Sequence, residues 1–270
     1  MFFLNNESIE ADSPKMLLYT HAFRYGDALF ETIRVYKGKV LYLNEHLTRL
    51  FTGMYYLKYR FHEEKFQQDI ETSIYRMIDL YQLYHGRLRL QIFRRESILP
   101  AEFILEGESI EDYFTTTQPY SLTSYRLMPL HFSPVSGFKT TYRLPYQLAN
   151  MYAKEKGFDE AILWSAESAA ETANHNLFIV KRKQIYTPPL QSGCLNGIMR
   201  MHIIRLCQKL EIPLSESLIS EKDLQNADEI FLTNALRGII PVWRYEDTAW
   251  ENAQFPIANY LKQNYLQVLM

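Results

Sequence analysis

Segments with the apolar period of a strand alternate with segments of helical period along almost the whole chain, which confines it to a mixed α/β fold. Residues 27–36 (DALFETIRVY) and 39–43 (KVLYL) are rich in β-favouring side chains and flank Lys37-Gly38, which reads as a hairpin turn. The next stretch, 44–59, carries apolar residues at 47, 50, 51, 54 and 57, all on one face of a helix. A second helix is predicted over about 63–83, a strand over RLRLQIF (87–93), and a strand running into a linker over YFTTTQPYSL (113–122). These segments predict a small N-terminal α/β domain, 1–117, and a larger C-terminal domain, 118–270. In the latter the spacing predicts helices over 145–157, 198–210 and 256–269, with strands at 160–164, 176–180, 184–187, 229–236 and 239–245.

Composition narrows the function. A chain of 270 residues, 47% hydrophobic, can bury the core that an enzyme needs. Its net charge of -2, with 22% charged residues, sets up no field to draw nucleic acid or an anionic membrane, so small molecules are the expected partners. The first residues carry no basic leader and no run approaches the ~20 apolar residues that span a bilayer, which predicts a soluble, unexported protein. Cys194 and Cys207 form neither a C-x-x-C pair nor a disulfide framework, so a reducing cytoplasm is expected. The chain has no G-x-G-x-x-G, Walker or G-x-S-x-G motif, and no H-x-x-x-H pair for zinc, which removes most of the case for dinucleotide, P-loop, hydrolase and metal chemistry.

What is left centres on three pieces. Lys139, in FKTTYRL (138–144), is the one charged residue between Phe132 and Tyr142. An apolar setting lowers a lysine pKa, and Schiff-base chemistry needs the free amine that results. Most loop lysines are simply solvated. Glu171, in AAETANHNLFIV (169–180), is the only acid between Glu167 and Glu211; taken alone it reads as an exposed loop carboxylate. The turn TPPLQSGCLNGIMR (187–200) leads into the 198–210 helix, whose first backbone N–H groups, on Ile198 and Met199, would face an anion at the helix start.

In this order and spacing the three pieces resemble the class IV aminotransferase family, which includes branched-chain and D-amino-acid aminotransferases and aminodeoxychorismate lyases. E-T-A-N-H-N-L-F is similar to the family's E-x-x-x-x-N-[LV]-F, EHLTRL (45–50) to H-[LI]-x-R-L, and FRYGDALFETIRVY (23–36) to Y-G-D-x-x-[FY]-E-x-x-[RK]. The resemblance implies the two-domain fold of the family's pyridoxal phosphate enzymes, a cofactor in the cleft between the domains, and a homodimer. It implies Lys139 as the cofactor lysine and proton shuttle, and Glu171 as partner of the pyridine nitrogen. Arg49, Leu195, Gly197, Ile198, Met199, Asn234 and Ala235 would bind the cofactor, with Arg49 and the N–H groups of Ile198 and Met199 on its phosphate, and Tyr25 and Arg34 would lie near the substrate; Arg89 and Arg143 are candidates for substrate carboxylates, because a dicarboxylate needs cations. Two departures bear on substrate choice: RESILPAEFILEGES (95–109) replaces a glycine-rich loop found in many relatives, and the segment between Leu122 and Lys139 is short. NGIMR (196–200) and TNAL (233–236) carry Met199 and Ala235 where the transaminases typically have a hydroxyl side chain, and in this they are similar to the lyases. The implied activity is therefore aminodeoxychorismate lyase, with a branched-chain or D-amino-acid aminotransferase as the alternative and a non-catalytic cofactor binder as a further one.

Overall fold

The computed structural model describes residues 2–9, 20–96, 98–116, 118–250 and 255–269. The chain divides into two compact units, Met1–Asp112 with Phe138–Tyr142, and Tyr113–Gly137 with Arg143–Met270. The division falls a few residues before the expected 117/118 boundary, where Thr117 lies outside the described residues, and it assigns the short segment around Lys139 to the first unit.

The first unit is a six-stranded antiparallel sheet with helices on one face. Its strands are β1 (Phe2–Leu4), β2 (Glu7–Ile9), β3 (Ala28–Tyr36), β4 (Lys39–Val40), β5 (His85–Phe93) and β6 (Glu102–Ser109), in the order β2-β1-β6-β5-β3-β4. Its helices are α1 (His21–Tyr25), α2 (Leu43–Tyr56) and α3 (Glu63–Leu80). Lys37 and Gly38 both have positive φ, 50° and 73°, the conformation that suits a two-residue hairpin to twisted strands. Leu29, Ile33 and Val35 of β3 and Leu88, Leu90 and Ile92 of β5 pack with Phe103 and Leu105 of β6 against Leu47, Leu50 and Met54 of α2 and Ile70, Ile74 and Met77 of α3. Strand β6 lies within the stretch read above only as a departure from the family; its burial alternates along its length. The 138–142 segment runs beside the start of β3, with Phe30 N–H donating to the Lys139 carbonyl (2.8 Å) and Leu29 paired with Thr140.

The second unit is built on a closed barrel. After a short helix α4 (Tyr113–Thr116) come β7 (Tyr120–Tyr125), α5 (Leu144–Glu155), β8 (Glu160–Ser165), β9 (Ser168–Thr172), β10 (Asn176–Lys181) and β11 (Gln184–Thr187). There follow α6 (Ile198–Lys209), β12 (Leu214–Glu216), α7 (Glu221–Gln225), β13 (Glu229–Asn234), β14 (Gly238–Tyr245), β15 (Thr248–Ala249) and α8 (Pro256–Leu269). Strands pair in the order β10-β13-β14-β7-β8-β9, and the Asn176–Glu171 pairing of β10 with β9 closes the ring. β11 and β12 extend it from β10, and β15 pairs with β14. Residues 113–122, read as a strand running into a linker, instead hold helix α4 and the first part of β7, because Leu122 is needed in the barrel core beside Ile162, Leu177 and Val242. Both cysteines are free and buried. Among the described residues no helix is long and apolar enough to cross a membrane.

Candidate active site

In the first unit, the backbone pairing of 138–142 with β3 puts Lys139 on the same sheet face as Phe30, since directly opposed residues of an antiparallel pair share a face. The lysine Nζ lies 4.8 Å from the centre of the Phe30 ring, and the Arg89 guanidinium on β5 lies 4.1 Å from the same ring. Aromatic packing removes water from one side of each cation. On the other face of the sheet, Arg49 of α2 meets the buried Glu31 of β3 through Nε (2.8 Å) and Nη2 (2.5 Å), and His46 Nδ1 lies 2.7 Å from the same carboxylate. Burial alone would raise the Glu31 pKa; Arg49 and His46 outweigh it and hold the carboxyl down to about 2. Burial lowers the His46 pKa, the Glu31 charge opposing, which favours the neutral imidazole.

Two other first-unit residues are differently engaged. Arg34, fully buried on β3, donates from Nη2 to the Glu111 carbonyl (3.2 Å) and lies 3.5 Å from Asp112. These are the contacts of a cation that ties β3 to the residues after β6. Tyr25 ends α1 70% exposed, with its ring edge-on to His21. The neighbouring Asp27 is a hub that pattern reading missed: Arg94 donates to it from Nε (2.7 Å) and Nη2 (3.2 Å), and the Tyr59 hydroxyl donates to its carbonyl (3.1 Å).

The second unit gathers its candidates at one end of the barrel. Glu171 is not an exposed loop acid; it sits on β9 with 4% of its surface accessible. Its Oε2 accepts from the Leu195 N–H (3.1 Å) and the Asn176 amide (3.2 Å), and its Oε1 from the Tyr146 hydroxyl (2.9 Å). Burial, with the Glu171 charge beside it, pushes the Tyr146 phenol far above the usual tyrosine range, which keeps it a donor. Asn176 also donates to the Leu195 carbonyl (2.9 Å), so one carboxamide joins the acid to the turn before α6. That turn must carry glycine: a Cβ on Gly197 would overlap the Asn176 Oδ1. Gly197 is the N-cap of α6 and has no side chain to satisfy the helix's first N–H groups, those of Ile198 and Met199 among them. Neither Asn176 nor Tyr146 was singled out from the sequence, although Asn176 stands in the quoted motif.

The loop after β13 borders the same end, because Thr233 pairs with Asn176 across β13 and β10. Asn234 Oδ1 accepts from the N–H groups of Leu236 (3.0 Å) and Arg237 (2.8 Å), and its Nδ2 donates to the Asn174 carbonyl (3.3 Å). Ala235 sits within this turn. Arg143 caps the start of α5, donates to the Ala173 carbonyl and lies 3.7 Å over the Tyr146 ring. A second buried acid, Glu160, is engaged elsewhere, by Thr172, Asn174 (3.0 Å) and His175 (3.0 Å).

The donors of the second unit suit pyridoxal phosphate, with a buried carboxylate held by three donors for a ring nitrogen and a helix start cleared of side-chain caps for a phosphate; the first unit by itself holds a lysine against an aromatic ring. Comparison with known proteins agrees. The chain is 24% identical to the D-alanine aminotransferase of Bacillus licheniformis over 245 residues, 88% of this chain and 86% of that one. Its fold is similar to a branched-chain aminotransferase from Thermoproteus uzoniensis, with a TM-score of 0.88 at 22% identity, covering 99% of this chain and 93% of the other. It is also similar to a putative 4-amino-4-deoxychorismate lyase from Legionella pneumophila, with a TM-score of 0.83 at 25% identity and coverage of 97% and 95%. The model of the amino-transferase class IV family matches residues 28–245, most of the chain, and the protein therefore belongs to the class IV aminotransferases, enzymes whose cofactor is pyridoxal phosphate.

Proposed function

We propose that this enzyme is a lyase that splits 4-amino-4-deoxychorismate into pyruvate and 4-aminobenzoate. The observation that carries the reading is the pair of positions 199 and 235. Met199 is buried at the start of α6 and Ala235 lies in the turn that Asn234 organises, so neither offers the hydroxyl donor typical of the family's transaminases. Arg89 and Arg143 add cations that a dicarboxylate requires and a branched aliphatic side chain does not.

When bound, pyridoxal phosphate supplies an electron sink for charge developing on the carbon that bears the substrate amine. Lys139 would be the residue that holds the cofactor's aldehyde carbon and, as a free amine, would take the proton from the substrate's amine-bearing carbon. Glu171 holds a proton at the pyridine nitrogen, with Tyr146, Asn176 and Leu195 fixing its carboxylate. Arg49 and the N–H groups of Ile198 and Met199 bind the phosphate. The electron pair left by that proton would form the new ring double bond and expel the ether oxygen from the neighbouring ring carbon, so the substrate ring would become aromatic and the enolpyruvate, taking up a proton, would leave as pyruvate. Tyr25 borders the substrate in this reading, whereas the contacts of Arg34 support a structural role. A homodimer in a reducing cytoplasm is part of the same proposal.

Amino transfer is the second reading, favoured by the similarity to the D-alanine and branched-chain enzymes. The purified holoenzyme should form pyruvate and 4-aminobenzoate from aminodeoxychorismate in equal amounts. Transfer from leucine, valine or D-alanine to 2-oxoglutarate, with no pyruvate from aminodeoxychorismate, would reverse the choice.

A further inference from the structure

Glu31 and His46 have no part in the roles assigned so far, yet both are buried polar residues of the first unit, each with 1% of its surface exposed. Arg49 stands three residues after His46 on α2, one turn along the same helix face. Its guanidinium meets the Glu31 carboxylate with a two-point fork, and His46 Nδ1 grips the same Oε2 that receives Arg49 Nη2. A fork of this kind fixes the plane of the guanidinium and, with it, the direction of its third nitrogen, Nη1. A buried ion pair is a weak stabilising device, since well-packed apolar residues of similar volume commonly do as well or better. The group is better explained by the need to aim a cation. The neutral imidazole contributes by holding the carboxylate without adding a second positive charge.

We propose that Glu31 and His46 are positioning residues that aim Arg49 at the phosphate of pyridoxal phosphate. The inference rests on the reading of Arg49 as a phosphate ligand. It predicts that loss of either residue weakens the grip on the phosphate and leaves the grip on the rest of the cofactor intact.

The test compares dissociation constants of pyridoxal phosphate and of pyridoxal, which lacks the phosphate, for apoprotein prepared from the holoenzyme, with thermal melting of each variant alongside. Glu31→Gln is expected to weaken pyridoxal phosphate about tenfold and pyridoxal less than about twofold. Arg49→Ala should show the same selectivity, and Glu31→Gln combined with it should add no further loss. His46→Ala should shift the ratio in the same direction, and His46→Asn, whose amide can donate as Nδ1 does, should restore it. Equal losses for the two ligands would mark a merely structural group and overturn the inference, as would no loss for either. If Glu31→Gln does not fold, Glu31→Asp, which keeps the charge and shortens the reach, carries the same comparison. Should Arg49→Ala leave the phosphate preference of the parent untouched, the reading of Arg49 fails and the inference with it. Should Arg49→Ala abolish that preference while Glu31 and His46 variants keep it, only the inference fails.

Discussion

Lys139 and Glu171 carry opposite demands on their surroundings. In the proposed reaction the lysine has to reach a neutral amine, and its Nζ lies 4.8 Å from the centre of the Phe30 ring. Lys139→Ala should abolish turnover with an unchanged melting curve for the apoprotein, and borohydride reduction of the holoenzyme followed by peptide mapping should label Lys139 alone. A label on Lys154 or Lys156 would refute the assignment. The acid instead has to keep a fixed acceptor buried, which its three donors accomplish. Glu171→Gln should still bind pyridoxal phosphate but lose rate by on the order of a hundredfold, the scale of a misplaced proton; a rate within a factor of two of the parent would exclude Glu171 as the ring's partner. Glu31 differs in that its effect can be read through pH. Its pKa is depressed to about 2 against an ordinary 4.5, so the stabilisation it gives is fully present above about pH 4.5 and is lost as pH falls through about 2. The difference corresponds to about 3 kcal/mol for a wholly buried carboxylate. Urea midpoints measured from pH 6 down to pH 2.5 should therefore fall less steeply for Glu31→Gln than for the parent.

Elements transmit these placements. Strand β9 delivers Glu171, β10 delivers Asn176 directly opposite, and β13 delivers Thr233 and Asn234 one strand further on. The start of α6 is then docked on Asn176 by the contact with Gly197, where the neighbour is a buried carboxamide that also serves Glu171 and Leu195. Gly197→Ala should cost about 1–3 kcal/mol in urea denaturation, the usual range for overpacking a filled site. Combining it with Asn176→Ala should recover part of the packing loss but not the activity, because the amide bond to Glu171 goes with it. Full recovery of both would show that Asn176 has no role beyond filling space.

At the scale of the whole chain, the cofactor should act as a stabiliser. A ligand at a hundred times its dissociation constant adds about 2.7 kcal/mol to the folded state, so the holoprotein should melt several degrees above the apoprotein, and Arg49→Ala should narrow the gap at a fixed pyridoxal phosphate concentration. The proposed homodimer should appear in light scattering as a mass twice that of the chain. A monomer fully active at the same concentration would remove the dimer from the reading.

Much of this was legible before any coordinates. The hairpin at Lys37-Gly38, the helical face of α2 and the start of α6 follow from local rules, in which a residue's neighbours in sequence decide its conformation. The family motifs likewise fall in short runs, and so Lys139, Glu171 and the 194–200 turn could be proposed as candidates from the resemblance those runs carry. Local pattern could not show that β9 pairs with β10 to close a barrel, that this buries Glu171 rather than leaving it in a loop, or that 113–122 divides between α4 and β7. Nor could it separate Arg89, beside Phe30, from Arg34, which meets Glu111 and Asp112, since both are arginines on predicted strands. The amino-acid sequence by itself determined the turns, the helical faces and the chemical types available. The tertiary structure alone decided which polar groups lost water and which partners replaced it, because burial and long-range hydrogen bonding depend on strands that meet across tens of residues of intervening chain.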